Sequence, residues 1–162
     1  MNIYKSQQFK TITYSIFITV LDQISKFLVL KFLGFKSSMT LIPKILKLTL
    51  VKNEGAAFSL FSNSTSMLTI ISILASLIII IIIFKFPPKS KFNSIGLAYL
   101  LGGTLGNGID RAFKGYVLDF FELVPINFPI FNIADISINI AVIYFLLDII
   151  KTTVKPKDLY KK

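Results

Sequence analysis

A chain of 162 residues that is 54% hydrophobic and only 16% charged has too few charges to cover the surface of a water-soluble domain. It contains no cysteine and no histidine, which excludes disulfides, thiolate metal sites, a cysteine nucleophile, a Ser-His pair and histidine as a general base. The net charge of +10 would suggest nucleic acid in a soluble protein, but here the basic residues flank apolar blocks, so anionic lipid headgroups are the expected partner and nucleic acid is not.

Four stretches reach the roughly 20 apolar residues that a helix needs to cross a bilayer. The first runs over about 11–33 and carries Asp22 and Lys26. A cleaved signal peptide is the rival reading of this segment. It fits poorly, because a signal peptide has a short uncharged apolar core. The loop that follows, 34–66, alternates Leu46, Leu48 and Leu50 with Lys47, Thr49 and Val51, a period of two that predicts a strand resting on the membrane surface. The second span, about 67–86, contains the run Ile78 to Ile83 and stops at Lys85 and Pro87-Pro88. In hydrocarbon only a helix satisfies its own backbone, so even this β-branched run is expected to be helical.

The third span, about 92–110, carries Gly96, Gly102, Gly103, Gly106 and Gly108, small residues that let helices approach closely. The loop 111–131 holds Phe113, Tyr116, Phe120, Phe121 and Phe128, aromatics expected at the membrane interface. The fourth span, about 132–150, leads into a lysine-rich tail. These features predict an all-α polytopic membrane protein of one domain, 1–162, with four transmembrane helices and both termini on one side. Lysines near the termini and between spans two and three outnumber the basic residues opposite. This favours cytoplasmic termini, although the first outer loop is itself lysine-rich.

With eight acidic residues, each can be weighed. Glu122 and Asp158 are expected in water, as is Glu54 beside Lys52. Asp148 is expected to pair with Lys151 near the inner surface. Asp22 and Lys26 are four apart on one helix and can pair in the favourable acid-first order; an intramembrane ion pair reads either as a functional site or as a structural bridge. Asp110 and Arg111 close the third span, where interfacial solvation of Asp110 is a reasonable reading. Asp119 and Asp135 bracket the second outer loop at one membrane level. Two carboxylates in a poorly solvated site cannot both ionise comfortably, and the pair divides into an acid and a base. Taken alone, Asp135 also reads as a helix cap.

The segments Asp22-Gln23-Ile24-Ser25-Lys26, Asn53-Glu54-Gly55-Ala56-Ala57-Phe58, Gly102 to Arg111, Val117-Leu118-Asp119-Phe120 and Phe131-Asn132-Ile133-Ala134-Asp135 together resemble the motif blocks of bacterial lipoprotein signal peptidase, signal peptidase II. Any one block is a weak signal; all five, in order, are a strong one. The resemblance implies four helices, a small extracytoplasmic β-cradle between helices 1 and 2, and a lid-like segment in the second outer loop. It also implies an aspartyl endopeptidase of the bacterial cytoplasmic membrane. Such an enzyme cleaves diacylglyceryl-modified prolipoproteins just before the lipidated cysteine at the outer face, with no cofactor and no metal. By the same resemblance, Asp119 and Asp135 match the catalytic dyad. Asn107 and Asn132 match site-supporting residues, and Arg111 one that helps hold substrate and loop. Asn53 and Gly55 lie in the cradle block, while Asp22 and Lys26 are structural or site-supporting. The expected partners are the diacylated substrate and membrane lipids, with a monomeric chain. Two rivals remain: a small proton-coupled transporter using Asp22, Lys26 and Asp135, and a non-enzymatic assembly factor joined through its glycines.

Overall fold

The computed structural model describes residues 3–35, 37–55 and 64–154. Ala56, Ala57, Phe58, Lys36, Asp158, Lys155, Lys157, Lys161 and Lys162 lie outside the described residues. The elements in chain order are α1 (Ile3–Phe32), β1 (Ser38–Ile42), β2 (Leu46–Asn53), α2 (Thr65–Lys85), α3 (Lys91–Lys114), β3 (Val117–Leu123) and α4 (Ile133–Val154).

Polarity runs inside out along α1. Thr11, Ser15, Thr19, Gln23 and Lys26 follow helical spacing and face α3. The hydroxyls of Thr11 and Ser94 hydrogen-bond at 2.7 Å, Thr19 Oγ1 donates to the Gly102 carbonyl at 3.1 Å, and Gln23 Nε2 donates to the Gly106 carbonyl at 3.0 Å. The opposite face exposes Ile16, Phe17, Val20, Ile24 and Phe27. A helix with its polar stripe turned inward and its apolar face outward is built for lipid. α2 and α4 are apolar nearly all round, with mean hydropathies of 3.1 and 2.1 over their most apolar windows, and both are long enough to cross a membrane. The chain is thus a helical protein of membrane type that carries a small three-stranded sheet.

α3 packs against α1, α2 and α4, and glycine makes this possible. A Cβ at Gly103 would stand 2.5 Å from the Ala134 carbonyl oxygen, and one at Gly106 would stand 2.6 Å from Asp22 Oδ2. Ser90 caps the start of α3, accepting from the Asn93 N–H at 2.9 Å. Gly115, at φ 77°, ends it in the left-handed conformation.

Several elements differ from the sequence expectation. α1 begins at Ile3, not near residue 11. Its polar first turns are held by Gln8, whose Nε2 donates to the carbonyls of Ile83 (3.0 Å) and Phe84 (3.1 Å) at the end of α2. α3 continues past residue 110 to Lys114, so Asp110 and Arg111 lie within the helix. The cradle is not confined to the connection between α1 and α2. Its strand order is β1-β2-β3, antiparallel, and β3 comes from the loop between α3 and α4. β2 needed a partner on its second edge and finds it there, with Val51 opposite Asp119 and Asn53 opposite Val117. Beneath the sheet Leu50, Leu118 and Phe120 are buried against Val29, Leu30 and Leu33 of α1. Asp148 pairs with the Ser90 hydroxyl instead of Lys151, and Lys151 lies over the Phe92 ring at 4.9 Å. Glu122 is half-buried and accepts from the Thr49 hydroxyl.

Because the clash at Gly103 is with backbone, Gly103→Ala should force α3 from α4 and lower stability by about 1–3 kcal/mol. Gly108→Ala, whose nearest new neighbour is Ser72 Cβ at 3.2 Å, should cost less. Thermal unfolding of the purified proteins, followed by circular dichroism, measures both.

Candidate active site

The connection from β3 into α4 returns the chain to the end of α3, and the polar residues meet there. Asn132 immediately precedes α4. Its Oδ1 accepts from the Asp135 N–H at 2.9 Å, while Asp135 Oδ2 accepts from the Asn132 N–H at 3.1 Å. This is a reciprocal capping box. The cap expected of Asp135 is therefore real, but it uses one carboxylate oxygen only. The other, Oδ1, accepts from Asn107 Nδ2 at 2.8 Å.

Asp119, on β3, is 2% exposed. Its Oδ1 accepts from Asn132 Nδ2 at 2.6 Å and its Oδ2 from Asn53 Nδ2 at 2.9 Å. Asn53 is fixed in turn by the Gly55 N–H, which donates to its Oδ1 at 3.0 Å in an Asx-type turn. A single side chain, Asn132, thus contacts both aspartates. Burial, and then the neighbouring charge of Asp135, push the Asp119 carboxyl up to about 7 against the hydrogen bonds from Asn53 and Asn132 and the more distant charge of Lys26.

Behind this pair lies a buried ionic cluster. Lys26, Asp22 and Asp110 are each 0% exposed. The Lys26 ammonium donates to Asp22 Oδ2 at 2.8 Å, Asp110 Oδ2 at 3.0 Å and Asn107 Oδ1 at 3.0 Å, which uses all three of its protons. An ammonium can only donate, so the oxygen of Asn107 must face Lys26 and its amino group must face Asp135. The carboxylates of the cluster also hold backbone. Asp22 Oδ1 accepts from the Ala134 N–H at 2.9 Å and Asp110 Oδ2 from the Leu118 N–H at 3.2 Å. These are the residues immediately before Asp135 and Asp119. Lys114 Nζ reaches Asp110 Oδ1 at 2.7 Å.

A cleft of about 920 Å³ opens beside the pair, lined by Asn53, Gly55, Asn107, Arg111, Asp119 and Asp135 together with apolar residues of α4 and of the loop before it. Arg111 Nη2 donates to the Gly55 carbonyl at 3.2 Å. Its Nε is buried without a partner among the described residues. Asn132, Asp22 and Lys26 stand behind the cleft wall. Asp110 is the member that sequence reasoning placed wrongly: read as an interfacial residue with ordinary solvation, it is buried and doubly paired with lysine. Lys114, four residues on, was the available signal. Among the described residues no group of three or more acidic residues is arranged to hold a metal ion.

Residues 14–151 match the family described as Signal peptidase (SPase) II. The lipoprotein signal peptidase of Parasynechococcus marenigrum is 44% identical over 132 residues, covering 82% of this chain and 83% of that one. The lipoprotein signal peptidase of Brevibacillus brevis is 39% identical over 132 residues, covering 82% and 89%. A solved structure described as a bacterial membrane enzyme, obtained by the in meso method, superposes with a TM-score of 0.85 at 31% identity and covers 94% of each chain. The chain belongs to the signal peptidase II family.

Proposed function

We propose that Asp119 and Asp135 are the catalytic dyad with which this aspartic peptidase removes signal peptides from prolipoproteins, and that the cut falls before a cysteine carrying a diacylglyceryl group. Prolipoprotein processing follows from membership of the family. The observation that supports the dyad is that two carboxylates line one cleft and are both held by Asn132, Asp119 through its side-chain amide and Asp135 through its backbone N–H. Asp119, with its carboxyl raised to about 7, carries the proton. Asp135 takes a proton from a water held between the two. The hydroxide formed attacks the scissile carbonyl while Asp119 donates to the carbonyl oxygen. The tetrahedral intermediate collapses as the leaving nitrogen receives the proton that Asp135 took and a hydroxyl of the intermediate returns a proton to Asp119. Asn53, Asn107 and Asn132 hold the carboxylates, and Asp22, Lys26 and Asp110 fix the backbone beside them. Arg111 and Gly55 form the wall that receives substrate. This chemistry calls for no cofactor.

The same reading takes α1 to α4 as four membrane-spanning helices with cytoplasmic termini and the sheet at the outer face. α1 and α3 are less apolar than α2 and α4 because their polar side chains turn toward each other, not toward lipid. The reading also takes the chain as a monomer surrounded by membrane lipids. A proton-coupled transporter finds no support, since Asp22 and Lys26 are locked in ion pairs and do not line the cleft.

Asp119→Asn and Asp135→Asn should each abolish cleavage of a diacylated prolipoprotein by the purified protein, with circular dichroism unchanged; full activity of either variant refutes the dyad. Asp119 also sets a pH dependence of stability. Its carboxyl is raised from 3.8 when folded, so between about pH 4 and 7 the native state holds a proton that the unfolded state has lost, and stability falls as pH rises through that window. Asp119→Asn lacks this loss. It should melt at a higher temperature than the native protein at pH 8, with the difference closing near pH 4.

A further inference from the structure

One polar side chain of the cleft takes no part in holding the dyad. Asp135, Asn139 and Ile143 are spaced four apart on α4, so they stack along one stripe, and all three line the cleft. Asn139 is exposed, and its Nδ2 donates to the Asp135 carbonyl at 2.9 Å. One amide N–H and the Oδ1 acceptor have no partner among the described residues and project from the same planar group. They do so on a helix whose most apolar window has a mean hydropathy of 2.1, beside Ile136 and Ile140. An unpaired amide at this depth is costly in an apolar setting, and a neighbour offering both an acceptor and a donor would relieve it.

We propose that Asn139 is a specificity-determining residue that pairs with the substrate's backbone on the signal-peptide side of the scissile bond. The proposal rests on the dyad reading above. A signal peptide is anchored in the membrane and must run inward from the dyad. α4 also runs inward from Asp135, and below the dyad the cleft wall is made by α4. Four residues of helix rise about 6 Å, which an extended peptide covers in about two residues at roughly 3.3 Å each. The partner is therefore the peptide unit about two residues before the cut. A peptide unit supplies both a donor and an acceptor; the ester carbonyls of a diacylglyceryl group supply acceptors alone.

The test uses the purified full chain and synthetic diacylated prolipoprotein peptides of three kinds: all-amide, with backbone esters in place of the amides two and three residues before the cut, and with ether-linked in place of ester-linked lipid chains. Asn139→Leu, and Asn139→Ala as a smaller replacement, should raise KM for the all-amide substrate about 5-fold, the equivalent of one net hydrogen bond, and leave kcat within about 2-fold. The backbone esters should weaken the native protein by a similar factor and leave the variants unaffected. An unchanged KM in both variants, ester penalties that persist in them, or a loss of sensitivity confined to the ether-linked lipid would overturn the proposal. Failure of the native protein to cut the all-amide substrate, or retention of cutting by Asp119→Asn, would instead strike the dyad reading on which it rests.

Discussion

A lysine ammonium with no exposure to solvent is the constraint on which the arrangement turns. An isolated buried charge is prohibitively costly, so Lys26 fixes whatever surrounds it. Its three protons go to Asp22, Asp110 and Asn107, bringing α1 and α3 together at one level. Asp22 accepts from the Ala134 N–H through its other oxygen, and Asp110 accepts from the Leu118 N–H through the oxygen that also faces Lys26. One charge thereby positions the chain next to each catalytic candidate and sets the amide orientation of the asparagine that contacts Asp135. Removing one partner of such a cluster leaves the others buried and unpaired, which is far worse than never having formed it.

The helices make that burial possible. Gly103 and Gly106 bring α3 within backbone contact of α4 and of the Asp22 carboxylate, closer than any side chain would allow. The hydroxyl and amide stripe of α1 finds its partners on α3, leaving apolar faces outward. The sheet closes the site from the other side: β2 supplies Asn53 and β3 supplies Asp119, and Leu50, Leu118 and Phe120 seat both strands on α1. The aspartates consequently lie where an apolar bundle meets a polar cap. There, desolvation raises one carboxyl at the edge of an open cleft.

Much of this was legible in the sequence for physical reasons. Hydropathy located α2 and α4, and the spacing of Asp22 and Lys26 implied their pairing because i and i+4 share a helix face. The alternation of Leu46, Leu48 and Leu50 gave β2. The five motif blocks gathered Asn53, Asn107, Arg111, Asn132 and both aspartates at one site. Other features depended on tertiary contacts that no local pattern encodes. β3 was hidden because Val117 to Leu123 sets apolar residues and one acid on each face, with no alternation, so its aromatics suggested an interface and not a strand. Asp110 looked solvated because its partner Lys26 is far away in sequence. The true start of α1 was obscured because Gln7 and Gln8 are polar, yet Gln8 is held by the end of α2.

A frame of buried charges and amides holds both carboxylates at one cleft, where burial and then the charge of Asp135 raise the Asp119 carboxyl to about 7. Carbon-13 NMR of side-chain carboxyls in aspartate-labelled protein tests this directly, with the Asp119 signal assigned by its loss in Asp119→Asn. The account predicts that this carboxyl titrates at about 7. Titration near the ordinary value of 3.8 would contradict it.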